Sequence, residues 1–250
     1  NEVGYISQIS KGKFNLRFYS SEREVDFCGH ATIAIMYDLI KNNNNLLQLD
    51  SLEIKTNRGE LIVENRIKSE DAVFILSPKP IEKKISIDIN EISLKLKIRK
   101  EDIDLKYKIS IINAGLTTLL LPIKNLESIL EIAPDLEELK DFCFKHEIDI
   151  IEVFSCEVAD KNNNYRTRVF APTFGYLEDP ATGSGNSAFG YFLIKNGLWV
   201  TETITIEQNG FRDKYNIVKL QKKMDSDGKE RVYFGGGAIT RIEGNYILQK

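Results

Sequence analysis

Two segments of this chain each follow a glycine with apolar residues at helical spacing, and both are too apolar to lie against water. The first is Cys28-Gly29-His30-Ala31-Thr32, continued by Ile33, Ala34, Met36, Tyr37 and Ile40. The second is Asp179-Pro180-Ala181-Thr182-Gly183-Ser184-Gly185-Asn186-Ser187-Ala188, continued by Phe189, Phe192 and Leu193. Apolar positions this broad leave no solvent-washed face, so each segment predicts a helix largely buried by the rest of the chain. The start of a buried helix presents backbone N–H groups without intrahelical acceptors and the positive end of the helix dipole, which together suit a carboxylate or phosphate. Two such ends predict a cleft that grips a small anion.

The residues around these helices read mostly as strands. Val3 to Ile9 and then Phe14, Leu16 and Phe18 alternate as a hairpin turning at Lys11-Gly12, and Leu52 to Lys55 and Leu61 to Val63 flank a turn at Asn57-Arg58-Gly59. Lys83 to Lys108 alternates Lys, Glu, Asp and Ile with a period that fits an edge strand or a solvated helix, and reads as a bridge between two halves. Past Ile109, strands are predicted at Thr117–Pro122, Ile150–Phe154, Tyr165–Phe170, Thr203–Glu207, Ile217–Gln221, Arg231–Phe234 and Ala238–Ile242. Pro134-Asp135 opens a surface helix with Leu136, Leu139, Phe142 and Cys143 on one face. Strands outnumber helices, without the strict alternation of a doubly wound parallel sheet.

A weak internal repeat underlies this order. Arg17-Phe18-Tyr19 precedes Glu24 and then Cys28-Gly29, while Arg168-Val169-Phe170 precedes Glu178 and then Thr182-Gly183. Gly29 and Gly183 stand 154 residues apart, too far for a solenoid unit, so the pattern predicts a duplicated domain, each copy wrapping strands around one helix.

Composition narrows the function. A formal net charge of -3 with no basic stripe argues against nucleic acid, and no apolar run reaches membrane-spanning length. The expectation is a cytosolic protein. Cys28, Cys143 and Cys156 lack paired zinc spacing, and with only His30 and His146 as histidines no clustered metal-ligand pattern is visible, so no metal is expected. No Lys follows the Gly183 run, as a phosphate loop would require.

Phe27-Cys28-Gly29-His30-Ala31-Thr32, Phe170-Ala171-Pro172 followed by Glu178-Asp179-Pro180-Ala181-Thr182-Gly183-Ser184, and the late Gly235-Gly236-Gly237-Ala238 closely resemble the PhzF-like phenazine-biosynthesis isomerase family, over most of the chain. The resemblance implies an α+β fold of the diaminopimelate epimerase type: two pseudo-symmetric lobes, each a curled, mainly antiparallel sheet around a central helix, with the active site between them. The lobes are expected at residues 1–105 and 106–250, the last strand returning to the first lobe. The resemblance further implies a cofactor-independent isomerase, often a homodimer, that moves a proton along a small carboxylate-bearing substrate; in the founding members this is a dihydro-hydroxyanthranilate.

Family roles carry over where residues match. Glu2-Val3-Gly4-Tyr5-Ile6 fits the motif of the catalytic glutamate, so the resemblance makes Glu2 the base, with His30, Asp179 and Ser184 as the motif histidine, aspartate and serine. Gly29, Ala31, Thr182, Gly183 and Gly185 are the expected substrate-binding positions. Family members carry some forty residues before that glutamate, and Asn1 enters a strand pattern with no initiating methionine, so a missing leading segment with its first strands is expected. Gly185-Asn186 depart from the family pattern of alanine and a small residue or histidine.

Moving a proton between carbons needs a base, an acid and donors for developing charge. Glu2 supplies the first, His30 the second and the helix-end amides the third. A base for a carbon-bound proton is expected to be shielded, with its pKa raised toward neutrality. Asp179 could orient His30 or meet a substrate amino or hydroxyl group. Blander roles fit the same residues: His30 as a polar first-turn residue, Asp179 as a turn or cap before Pro180, Ser184 satisfying a helix amide, Cys28 as a small buried residue and His146 as a structural one. Two-cysteine epimerisation is disfavoured, since Thr182 stands where the second thiol would be. A carboxylate-binding protein without turnover is the alternative from another class.

Overall fold

Phe14, Leu16 and Phe18 are the buried positions of the second strand of the predicted hairpin in the computed structural model, which describes residues 2–19 and 24–245. Asn1, at the head of the opening strand pattern, lies outside the described residues. Strand β1 (Val3–Ser10) pairs antiparallel with β2 (Lys13–Tyr19), and Gly12 makes the turn at φ 74°, where a side chain would be strained. A two-residue strand, β3 (Glu24–Val25), returns along β2 and leads into helix α1 (Gly29–Lys41). α1 buries Thr32, Ile33, Met36, Tyr37 and Ile40 and packs on β1, where a Cβ on Gly4 would collide with Ile35. Then come β4 (Ser51–Thr56), parallel to β2, β5 (Gly59–Arg66), the single turn α2 (Ile67–Glu70) and β6 (Ala72–Leu76), in sheet order β1-β2-β4-β5-β6. The chain divides into two compact units, and this one comprises Asn1–Ile75 with Gly236–Lys250.

The second unit is Leu76–Gly235. It begins with β7 (Ile81–Lys83), helix α3 (Ile89–Leu96), β8 (Ser110–Asn113), β9 (Thr117–Pro122) and helices α4 (Leu126–Leu130) and α5 (Leu136–Lys145). There follow β10 (Ile150–Ser155), β11 (Tyr165–Phe170), β12 (Glu178–Asp179), helix α6 (Gly183–Lys195), β13 (Thr203–Gln208), β14 (Asn216–Met224) and β15 (Glu230–Gly236). The sheet order is β15-β14-β13-β11-β10-β9-β8-β7, antiparallel except at β9–β10 and β11–β13. α6 touches β8, β9 and β10 and also β14, which lies beyond β11 and β13 in the sheet, so the sheet curls around it. Phe154 of β10 packs against Phe189 and Phe192 of α6, with ring centroids 4.6 and 5.2 Å apart. The opposite face of β10 carries Ile151 and Val153 into a core closed by Ile92, Leu96, Ile129, Leu139 and Phe142. Each such buried side chain stabilises the fold by roughly 1.5–3 kcal/mol.

The predicted duplication is visible in the connectivity. β1-β2-β3-α1-β4-β5-β6 repeats as β10-β11-β12-α6-β13-β14-β15: an antiparallel pair, a short returning strand, a 13-residue helix, a strand parallel to the second, and two antiparallel additions. The repeat holds at single residues. Phe18 pairs Val25 as Val169 pairs Asp179, and the ion pair Arg17–Glu24 recurs as Arg168–Glu178. Gly4 faces Phe18 as Glu152 faces Val169.

Three expectations change. Lys83–Lys108 is neither edge strand nor solvated helix alone: β7 forms the sheet edge, and α3, capped by Asp88 accepting from the Asn90 N–H, buries Ile92 and Leu96 in the second unit. Residues 76–105, assigned to the first lobe from sequence, belong to the second unit. Ala238–Ile242 forms no strand; it runs as irregular chain tied to α1 by the Thr240 hydroxyl donating to Asp38 at 2.7 Å. Among the described residues no helix is long and apolar enough to cross a membrane.

Candidate active site

Glu2 stands at the head of β1 and His30 in the first turn of α1, so the packing of α1 on β1 brings them together from 28 residues apart. Glu2 Oε2 lies 3.2 Å from His30 Nε2, with the carboxylate side chain 11% exposed and the imidazole 31%. Oε2 is sealed from solvent and meets no aligned hydrogen-bond donor. The third member is Cys28, whose Sγ lies 3.6 Å from His30 Nε2 and 3.7 Å from Nδ1. Cys28 is buried, as expected of a small residue, but also polar in its contacts. It is the N-cap of α1, its carbonyl accepting from the Thr32 N–H at 3.0 Å and the Thr32 hydroxyl at 2.7 Å. No side chain caps the helix and no acidic residue sits in its first turn, so the amides of Gly29, His30 and Ala31 have no acceptor within the helix.

The Glu2 carboxyl departs from the sequence expectation. Contact with the His30 imidazole holds its pKa below the ordinary carboxylate range, outweighing the upward push of burial. Glu2 is therefore ionised at neutral pH, ready to accept a proton but a weaker base than a raised carboxyl would be.

Asp179, Thr182, Gly183, Ser184 and Gly185 gather at the start of α6 in the second unit. Thr182 is the N-cap without a side-chain cap bond, and no acidic residue occupies the first turn. A residue that sequence reasoning passed over, Gln208 of β13, fixes this end. Its Oε1 accepts from the Thr182 N–H at 3.1 Å and from Asn186 Nδ2 at 2.7 Å, and its Nε2 donates to the Asp179 carbonyl at 2.8 Å and the Thr182 hydroxyl at 3.2 Å. The signal for Gln208 is its place beside Glu207 at the end of β13, where two adjacent polar residues break the Thr–Ile alternation of Thr203–Ile206. Asp179 is buried and its Oδ1 accepts from the Ala181 N–H at 3.3 Å, the turn role that Pro180 invites. Ser184 is half-buried, and a Cβ on Gly115 would stand 2.9 Å from its hydroxyl. Gly183 leaves room for the Phe234 ring, and a Cβ on Gly185 would lie 2.6 Å from Glu152 Oε2. His146, expected to be structural, meets Glu91 at 3.2 Å and lies against Phe142 with the two rings tilted by 47°.

The sequence-derived residues thus form two sets, Glu2, His30, Gly29 and Ala31 on one unit and Asp179, Thr182, Gly183, Ser184 and Gly185 on the other. In the repeat Cys28 corresponds to Thr182 and His30 to Ser184, so the proton-carrying side chains are concentrated on the first helix, and the second offers amides and hydroxyls. A hydroxyl at Thr182 is no acid for carbon-bound protons, which argues against the two-thiol route.

Comparison with known proteins agrees with the motifs. The profile of the phenazine biosynthesis-like protein family (PhzC-PhzF) matches residues 2–244. An uncharacterized isomerase of Clostridium acetobutylicum is 27% identical, the alignment covering 99% of this chain and 84% of that protein. The uncharacterized isomerase YfhB of Bacillus subtilis is 25% identical over 97% of this chain and 84% of its own. Among solved structures, a PhzF-family phenazine biosynthesis protein of Bacillus anthracis superposes with a TM-score of 0.83 at 22% identity, covering 95% of this chain and 81% of that one. A hydroxyproline epimerase from Agrobacterium vitis shares the fold more distantly, with a TM-score of 0.58 at 12% identity, 96% of this chain and 72% of that one being covered. The chain belongs to the phenazine biosynthesis-like family.

Proposed function

We propose that this isomerase works without a cofactor, shifting a proton along a small carboxylate-bearing substrate held in the inter-lobe cleft, with Glu2 as the base. The observation that carries the reading is the Glu2–His30 pair, a shielded ionised carboxylate 3.2 Å from an imidazole beside uncapped helix amides. Glu2 takes the carbon-bound proton, and the amides of Gly29, Gly183 and Gly185 hold the acid group and the charge that develops. His30 returns a proton to the receiving carbon, with Asp179 and Ser184 guiding that step. Because Glu2 is held ionised, its task is kinetic positioning more than basicity: proton removal depends on the charge on the substrate being stabilised as it forms.

The test is hydrogen exchange. Incubating the protein in deuterated water with a panel of cyclic and acyclic carboxylic acids, read by mass spectrometry, should show label entering one carbon of a responsive acid, and Glu2→Gln should abolish it. Exchange that survives Glu2→Gln overturns the base assignment. Binding of carboxylates with no exchange in any of them supports a carboxylate-binding protein instead. The family reading also carries a homodimer, which light scattering of the purified chain tests.

A further inference from the structure

Cys28 is 7% exposed at the N-cap of α1, and its Sγ lies 3.6 Å from His30 Nε2 and 3.7 Å from Nδ1. A sulfur so nearly equidistant from both nitrogens stands over the face of the imidazole, because in the ring plane at that distance it would overlap the carbon between them. The ring's lone pair and N–H bond lie in that plane, so the contact is packing and not a hydrogen bond. Both separations fall in the range of about 3.5–4.0 Å where dispersion is strongest. The sulfur has little freedom of its own. The Cys28 carbonyl accepts from the Thr32 N–H at 3.0 Å and the Thr32 hydroxyl at 2.7 Å, which fixes the backbone that carries it. The ring has more freedom: His30 stands in the first turn with its side chain 31% exposed, where a side chain can move between staggered rotamers without entering the core. The rotamer in the structure sets Nε2 3.2 Å from Glu2 Oε2. The internal repeat adds a second observation. Where the second copy has Ser184 in place of the imidazole, Thr182 replaces Cys28 and its hydroxyl accepts from Gln208 Nε2 at 3.2 Å, so sulfur and ring occur together in one copy and are both absent from the other.

We infer that Cys28 is the positioning residue for His30, its sulfur forming the floor on which the imidazole rests with Nε2 turned to Glu2. A sulfur–ring contact shifts a conformational population by roughly two- to tenfold, enough to select one rotamer among a few of similar energy. The hold is one of shape, so another side chain of the right bulk can supply it. The Cys28 backbone is extended, at φ -130° and ψ 109°, a conformation that suits a branched side chain. Thr32 bonds to the Cys28 carbonyl and not to its side chain, so these bonds persist when the sulfur is replaced. Contact with His30 is the first cause holding the Glu2 carboxyl below the ordinary range, and a loosened ring therefore lets that carboxyl titrate higher. The consequence for proton transfer rests on the reading of Glu2 as base; the hold of the sulfur on the ring does not.

The experiment compares the full chain with Cys28→Ala, which removes the floor, and Cys28→Val, which restores bulk without sulfur; thermal unfolding checks that both variants fold. The first readout needs no substrate. With histidine labelled in carbon-13 and nitrogen-15, the chain gives signals from His30 and His146 alone, and His146→Gln identifies which is which. Three-bond couplings should report one χ1 rotamer of His30 in the parent, averaging among rotamers in Cys28→Ala, and one rotamer again in Cys28→Val. A single rotamer that persists in Cys28→Ala overturns the inference. The second readout is deuterium exchange into the responsive acid. Its rate should fall roughly two- to tenfold in Cys28→Ala, in step with the lost rotamer population, its acidic limb should move to higher pH, and Cys28→Val should restore both. Exchange that stays lost in Cys28→Val although the ring is held overturns the positioning account and makes the thiol itself a proton carrier. Rotamer averaging in Cys28→Ala together with exchange that survives Glu2→Gln leaves the hold on the ring standing and removes the base assignment.

Discussion

Glu152 sits in the middle of β10 with no exposed surface, and neither carboxyl oxygen has a hydrogen-bond partner. Burial pushes its pKa well above the ordinary glutamate value, so the folded chain keeps its proton where the unfolded chain has lost it. The consequence has a definite sign. The unfolded glutamate titrates near pH 4.3, as free glutamate does; above that pH folding must take up a proton, so this residue's contribution to stability is full below about pH 4.3 and falls as pH rises. The loss is about 1.4 kcal/mol per pH unit once the unfolded carboxyl is fully ionised, and about 1.3 kcal/mol between pH 5 and pH 6. Glu152→Gln keeps the shape and removes the titration. The variant and the parent share every other ionisable group, so the stability difference between them isolates this one. That difference should move in favour of the glutamine variant by about 1.3 kcal/mol from pH 5 to pH 6, or roughly 3–5 °C in midpoint for a chain of this size. Trp199, the single tryptophan, lies in the same compact unit, so its fluorescence during denaturant or thermal unfolding follows the right part of the molecule. A difference that stays flat from pH 5 to pH 7 would falsify the burial argument, since it would mean that Glu152 is ionised in the folded chain and therefore has a partner or solvent.

Three further outcomes follow from named contacts. Gly185→Ala places a methyl 2.6 Å from Glu152 Oε2 and should cost about 1–3 kcal/mol by chemical denaturation; the cost should shrink in a Gly185→Ala, Glu152→Ala double variant, and full additivity would place the strain elsewhere. Arg166 and Glu207 form a fully buried ion pair at 3.1 Å, so Glu207→Ala, which strands the guanidinium, should cost about 3–5 kcal/mol, whereas an apolar pair of similar volume at both positions should cost much less. Because His30 holds the Glu2 carboxyl below the ordinary range, the acidic limb of the exchange rate against pH should lie below the usual carboxylate titration and move upward in His30→Gln; a limb that stays in place assigns it to another group.

The parts of the fold legible in the sequence were those with one-dimensional signatures. The alternation of Phe14, Leu16 and Phe18, the turn at Gly59, the Asp135 cap whose Oδ1 accepts from the Glu137 and Glu138 amides, and the two buried helices all follow from local periodicity and capping. Lys83–Lys108 was ambiguous because α3 is short and shows only Ile92, Ser93 and Leu96 to the core, too few positions to fix a period. Ala238–Ile242 has the residues of a strand, but Ile239 and Ile242 are exposed and no strand pairs with it among the described residues. In the site, Glu2 and His30 came from motifs, whereas Cys28 as their neighbour, Gln208 as the clamp on α6 and the partnerless Glu152 depend on which strand lies beneath which helix turn. Local spacing carries no information about that.

The duplication explains why the two helix starts differ in chemistry although their backbones repeat. In the first copy β1 has Gly4 under α1, and the helix presses close enough that Cys28 and His30 reach Glu2 at the strand head. In the second copy the position matching Gly4 is Glu152 and the one matching Glu2 is Ile150, while the helix residue against that position is Gly185, where Ile35 of α1 lies against Gly4. Bulk has moved from helix to strand, and the acid has moved two residues inward, from the strand head to a sealed position where it keeps its proton. A carboxyl at the rim can exchange protons with a ligand; one buried beneath a helix turn can do so only if the turn opens. Under the proposed mechanism the two copies divide the work unequally, with the proton-transferring Glu2 and His30 on the first unit and only assisting groups on the second. Removing the inward acid alone, with Glu152→Gly, restores beneath the second helix the residue that Gly4 provides beneath the first, while Ile150, the counterpart of Glu2, stays buried. Its test is loss of the pH-dependent stability term assigned to Glu152; persistence of that term would show that the inward acid is not its source.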